Sequence, residues 1–299
     1  QLRRERRAEL TALLARWSMA CRALAAVLMR VGIASVWHRA VPGAMCGTGV
    51  LQAMGSAGSR TMLFGMIGLM LLYAWQVLDR LNRVHPDGAL TLSAARVLIC
   101  AAPFLFLALA YAWRALMHID PASPVSCCAA VYDRVVHDAS ASAVGHWLVP
   151  AAFWTGLGAA GLIALLAGIK MRFPDRGPGA AAPAAAIVWM IASSVAVKHV
   201  WSAYYYQVLS HPCPWCLFLP DYHGAGFLIY GSMAVVVLEG IALWTADRIR
   251  RRHPPLAPAA AERLGKAARR MLWALAGFYL LSTGPAVLWR LRTGVWLGG

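Results

Sequence analysis

Six stretches of this sequence run for close to twenty residues with almost no charge, at roughly 61–79, 97–113, 147–169, 181–208, 224–245 and 271–289. About twenty apolar residues in a helix cross the ~30 Å hydrocarbon core of a bilayer. No water is available there, so each backbone N–H and C=O must pair inside its own helix. A seventh stretch, about 17–37, is interrupted by Arg22 and Arg30; such charges must face protein or reach the interface. The expected fold is all-α: a polytopic integral membrane helix bundle of about seven transmembrane helices, one domain over residues 1–299. Only 13% of residues are charged and 60% are hydrophobic, whereas soluble domains carry about a quarter charged residues. No small-residue cleavage site follows the basic start, so no cleaved leader is expected.

The net charge of +16 would suggest nucleic acid in a soluble chain. Here the cations flank apolar segments, which points to a lipid bilayer as the partner and to no nucleic acid. Loops 80–96, 170–180 and 246–270 hold most of the loop arginines and lysines, including Arg80, Arg83, Lys170, Arg172, Arg248, Arg250, Arg251, Arg252, Arg263, Lys266 and Arg270. The alternate loops, 38–60, 114–146 and 209–223, carry only Arg39, Arg60, Arg114 and Arg134. The positive-inside rule assigns the first set to the cytoplasm. The expected location is a bacterial inner membrane, with the second set of loops on the periplasmic side.

That assignment sorts the seven cysteines. Cys46, Cys127, Cys128, Cys213 and Cys216 fall in the three outer loops and none in a cytoplasmic loop. The outer compartment is oxidising, so these thiols sit where disulfides form and exchange. Cys21 and Cys100 lie within apolar segments and read as buried packing residues. Cys127 and Cys128 are adjacent, and a bond between neighbours requires a strained ring, so one of them is expected to pair elsewhere. The stretch 127–138 is expected to form a short helix lying on the membrane.

The third outer loop reads SHPCPWCLFLPDYHG, residues 210–224. Two thiols spaced C-x-x-C come within bridging reach when the first begins a helical turn. A helix start also stabilises the thiolate of the first cysteine. Pro214 suits the first helical position, which would make Cys213 the N-cap with Cys216 behind it. Thiol–disulfide exchange, a fixed disulfide staple and a metal site are the three chemistries open to such a pair. For metal, His38, His118, His137, His146, His211, Asp221 and His223 lie on or near the same side, and Cys with His suits zinc or copper. No second C-x-x-C is present, and Leu217 follows Cys216 where covalent haem attachment needs histidine. No metal or haem motif is therefore identified.

Lys198 and His199 occur near the outer end of a crossing, beside Trp201, Tyr204, Tyr205 and Tyr206. They fit two readings. One is an interfacial aromatic belt with a snorkelling lysine. The other is a polar patch for a quinone headgroup, to which Gln207, Trp215 and Tyr222 would contribute.

A multi-span membrane chain with CPWC at its outer boundary and more cysteines in other outer loops resembles two related groups: the vitamin K epoxide reductase family and the bacterial quinone-reducing disulfide-bond-formation membrane proteins. Those families have four core helices, fewer than the number counted here. The resemblance implies that Cys213 and Cys216 pass electrons to a membrane quinone. It implies that two of Cys46, Cys127 and Cys128 act as shuttle cysteines toward a thioredoxin-like periplasmic partner. The expected function is a membrane thiol–disulfide oxidoreductase. Its rivals are a non-catalytic subunit of a respiratory or transport complex, with structural disulfides or a bound metal at its outer cysteines, and a metal transporter or chaperone. The apolar segments hold no central carboxylate, which disfavours an ion pathway.

Overall fold

The computed structural model describes residues 2–84, 88–120, 122–125, 142–177, 179–207 and 213–297. Cys127, Cys128, His137, His211 and the short helix expected at 127–138 lie outside the described residues. The helices are α1 (Leu2–Val31), α2 (Gly47–Ala53), α3 (Gly55–Asn82), α4 (Thr91–Met117), α5 (Ser142–Arg172), α6 (Ala181–Ala196), α7 (Ser202–Tyr206), α8 (Ala225–Arg252) and α9 (Ala257–Thr293). A π-helical turn, Val197–Trp201, joins α6 to α7, so that Ala181–Tyr206 is one continuous helical stretch. No strand occurs among the described residues.

Among the described residues, seven helical stretches are long and apolar enough to cross a membrane: Glu9–Arg39, Gly55–Asn82, Thr91–Met117, Trp147–Arg172, Ala181–Tyr206, Ala225–Arg252 and Pro254–Thr293. The chain is an all-α polytopic membrane protein. The helices outrun the apolar stretches because their charged flanks continue the same hydrogen-bond ladder. Ile99, Phe106, Trp273, Leu280 and Leu291 are each more than two-thirds exposed on the outside of the bundle. Water would make that arrangement unfavourable at ~25 cal/mol per Å²; acyl chains do not.

Consecutive helices pack as hairpins. The most extensive pairings are α8 with α9, α3 with α4, and α5 with α6, and α6, α3 and α9 also contact α8, α8 and α5 respectively. Small residues line the seams. Ala167, Ala182, Ala242, Ala246, Ala260, Ala267 and Ala268 are all buried in one core cluster, which lets helix backbones approach closely where lipid offers no hydrophobic drive. Arg16 in α1 reaches Asp79 in α3 at 2.6 Å. Arg22 donates to the backbone carbonyl of Leu105 in α4, and Arg30 to that of Ala26 at 3.0 Å. The charges that interrupt the first apolar stretch are thus held by backbone carbonyls.

One sequence expectation fails here. Cys21 and Cys100 are exposed on the bundle surface. In a bilayer the lipid-facing surface is as apolar as the core, so burial inside the protein is not the only place for a thiol.

Candidate functional site

The turn that presents Cys213 and Cys216 forms for a reason other than a helix start. Cys216 N–H donates to Cys213 O at 3.4 Å, closing a turn with Pro214 and Trp215 at its centre. Proline is favoured at the second position of such a turn because its φ is already set. The helix begins one step later, as a single 3-10 turn over Cys216–Phe218 with Trp215 as its N-cap. Cys213 is therefore not the N-cap, which corrects the sequence expectation. Proline there fixes the turn and leaves the thiol of Cys213 to be tuned by its neighbours.

Those neighbours include a cysteine from far along the chain. Cys46 stands immediately before α2, and its Sγ lies 3.4 Å from that of Cys213. The sulfurs of Cys46, Cys213 and Cys216 all lie within 4.8 Å of one another. All three residues are buried, 2% to 7% exposed. The 3.4 Å gap is well beyond the ~2.05 Å of a disulfide, so Cys46 and Cys213 touch without being bonded to each other. Loops 38–60 and 209–223, assigned to one side by the charge pattern, do meet at one end of the bundle.

Glycine at position 47 permits the approach. A Cβ there would lie 2.8 Å from the Trp215 ring and 2.9 Å from Ile33. Trp215 packs against Phe218 with ring centroids 5.5 Å apart, and Phe218 stacks on Tyr230 at 5.4 Å. On the other flank Tyr206 meets Tyr222 edge to face at 4.7 Å. The Tyr206 hydroxyl donates to Cys213 O at 2.6 Å, which ties the end of α7 to the turn. The thiols thus sit in an aromatic cage.

The two cysteines of the turn are electrostatically unequal. The Cys216 thiol, then the Cys46 thiol, hydrogen-bonds toward Cys213 Sγ and holds it well below the ordinary thiol range; burial opposes this, and Thr48 adds a further bond in the same direction. Thr48 Oγ1 lies 3.2 Å from Cys213 Sγ. Cys216 is pushed the opposite way by its bond to Cys213, by Cys46 and by burial. The Tyr222 phenol is pushed up by burial and by Cys216 and Asp221. A low-pKa thiolate beside a protonated thiol is the arrangement that thiol exchange uses, one sulfur attacking or leaving and the other holding the proton.

Of the residues singled out in the sequence, the structure brings Cys46, Cys213, Cys216, Trp215 and Tyr222 together. Lys198 and His199 are exposed on the π-helical turn, about two helical turns before Tyr206. Gln207 is exposed and left-handed, with φ 56°, and ends α7. His38, His118, Asp221 and His223 do not join the sulfur cluster, which among the described residues is the group with metal-ligand spacing. Sequence reasoning missed Thr48, although it lies two residues after Cys46, and it read Tyr206 only as part of an interfacial belt. No protein-family model, curated protein or solved structure matches this chain.

Proposed function

We propose that the protein is a membrane thiol–disulfide oxidoreductase in which Cys46, Cys213 and Cys216 form a three-sulfur exchange centre. The observation that carries this reading is the third thiol 3.4 Å from the first cysteine of the C-x-x-C turn. A staple needs two sulfurs; a third in contact allows one disulfide to be handed to another pair. In the oxidised centre the bond is Cys213–Cys216. The Cys46 thiolate attacks Cys213 Sγ, a Cys46–Cys213 bond forms, and Cys216 leaves with the electron pair and takes up a proton. Cys127 or Cys128 would then carry the disulfide on to a thioredoxin-like partner outside the membrane.

Regeneration removes two electrons and two protons from the Cys213–Cys216 dithiol. A membrane quinone, as the resemblance implies, would supply that sink by becoming a quinol. The residues here suit its ring: Trp215, Tyr206 and Tyr222 surround the sulfurs and offer faces on which a flat ring can stack. The thiolate of Cys213 is the electron-rich atom of the pair, and Thr48 orients it. Lys198, His199 and Gln207 would serve the headgroup only from the rim. The reading places the cysteine end in the periplasm of a bacterial inner membrane, in keeping with the arginine distribution.

The test is quinone reduction by the purified protein in liposomes with a dithiol as donor, followed by the loss of quinone ultraviolet absorbance. The wild type should turn over. Cys213→Ser and Cys216→Ser should be inactive, and equal rates in all three would sink the reading. A second reading has its own observation. Three buried sulfurs within 4.8 Å suit a soft ion such as Cu(I) or zinc, at ~2.3 Å per Zn–S bond. It predicts stoichiometric metal in protein purified anaerobically, together with thiols that resist alkylation until a chelator is added.

A further inference from the structure

The end of the bundle away from the cysteines carries an open cavity of about 300 Å³. It lies some 33 Å from the cysteine end, taking Ala225 to Asp247 at 1.5 Å per residue along α8. Its walls are Gly179 and Ala180, just before α6, and Trp244, Asp247, Arg248, Arg251 and Arg252 of the last turns of α8. The volume falls at the lower limit of ~300–1,000 Å³ for small-ligand sites.

The charge in this cavity is unbalanced in a particular way. Asp247 is the acid in its lining, and its carboxylate is already occupied. Lys170 Nζ, 1% exposed, lies 2.7 Å away, and Arg251 Nε lies 3.0 Å away. Arg250 approaches the same carboxylate at 3.6 Å and also pairs with Asp175. The lining itself thus holds one carboxylate and three arginines, Arg248, Arg251 and Arg252, while Lys170, Arg250 and Asp175 complete the ion-pair network outside it. Arg248 and Arg252 make no ion pair among the described residues. The guanidinium of Arg248 sits 5.9 Å from the centre of the Trp244 ring. A Cβ on Gly179 would lie 2.8 Å from Asp247 Cβ, so the glycine keeps the backbone wall close to the ion-paired floor.

We propose that this cavity binds the phosphate headgroup of an anionic membrane phospholipid. Guanidinium groups recognise phosphate through paired N–H donors. The position selects the lipid over a soluble phosphate. Trp244 is 38% exposed at the level where α8 leaves its apolar stretch, with the apolar face an indole presents to acyl chains on one side and the arginines on the other. Basic pockets at this depth between helices are where anionic headgroups are held. The site does not depend on the redox reading.

The test is native mass spectrometry of the full chain released from nanodiscs of mixed phosphatidylcholine and phosphatidylglycerol. The wild type should retain phosphatidylglycerol selectively. Arg248→Gln/Arg252→Gln should lower retention about thirtyfold, from two lost cations. Lys266→Gln, paired with Glu262 elsewhere on this end, should leave retention unchanged. Independently of any variant, a photoactivatable phosphatidylglycerol should cross-link wild-type protein within 244–252. Equal retention in the double variant, or cross-links spread evenly over the helices, overturns the proposal. Displacement of the lipid by equimolar inorganic phosphate also overturns it, in favour of a soluble anion.

Discussion

At the cysteine end, three thiols are buried among aromatic rings and are tuned by sulfur and hydroxyl hydrogen bonds. At the other end, polarity is buried as full charge. Lys170 and Asp247 pair at 2.7 Å inside the bundle. Glu239 takes Arg263 at 2.9 Å and the hydroxyl of Tyr73 at 2.8 Å. The difference follows from what each group can do without water. A carboxylate or ammonium cannot shed its charge without a large pKa shift, so it needs a fixed partner and locks the helices that carry it. A thiol can be buried neutral and can share one proton with its neighbours. The charged end suits a rigid foundation; the sulfur end can change covalent state and leave the helices in place.

The largest effect expected from breaking this contrast is at the charged end. Asp247→Ala leaves Lys170 buried without its acid and should destabilise the protein by about 3–5 kcal/mol, read by denaturant unfolding in detergent. Lys170→Met/Asp247→Leu should recover most of the loss, because both charges go together. Next comes Gly47→Ala, whose methyl would lie 2.8 Å from Trp215. It should destabilise by about 1–3 kcal/mol and slow oxidative bonding of Cys46 to Cys213.

A pH profile sharpens the sulfur side. Cys213 is held below the ordinary thiol range, so its thiolate persists as pH falls through that range, and protonation comes only at the lowered value. Alkylation of Cys213 in the Cys216→Ala background, measured against an unfolded control, tests what the neighbours contribute. Removing the Cys216 donor should raise the half-point, and Thr48→Val in the native background should raise it by about one to two pH units, the worth of one hydrogen bond to a charged group. The smallest effect is Tyr206→Phe, which deletes the bond to Cys213 O and should lower stability by about 0.5–1.5 kcal/mol.

Much of the architecture was legible in the sequence because the bilayer imposes a length on every crossing. The seven helices and the shared side of loops 38–60 and 209–223 follow from apolar length and arginine placement. The site was half legible. The C-x-x-C spacing marks Cys213 and Cys216, but nothing local to residue 46 says that its thiol will meet one 167 residues later. That contact depends on Gly47 admitting Trp215 and on the path from α1 into α2, both tertiary facts. The burial of Lys170 was hidden for a related reason. At the sequence level it is one more basic residue at a helix end, and only its packing against Asp247 separates it from the exposed arginines nearby. The exposure of Cys21 and Cys100 was misread because an apolar segment does not announce which face meets lipid.

The most direct measurement of the central claim is disulfide mapping of the Cys216→Ser protein after mild oxidation in native membranes. With the resolving thiol removed, the exchange centre predicts that a Cys46–Cys213 bond accumulates and that Cys213→Ser abolishes it. If instead no bond to Cys213 forms in Cys216→Ser, and the wild-type thiols stay reduced under the same oxidant, the three sulfurs are not an exchange centre.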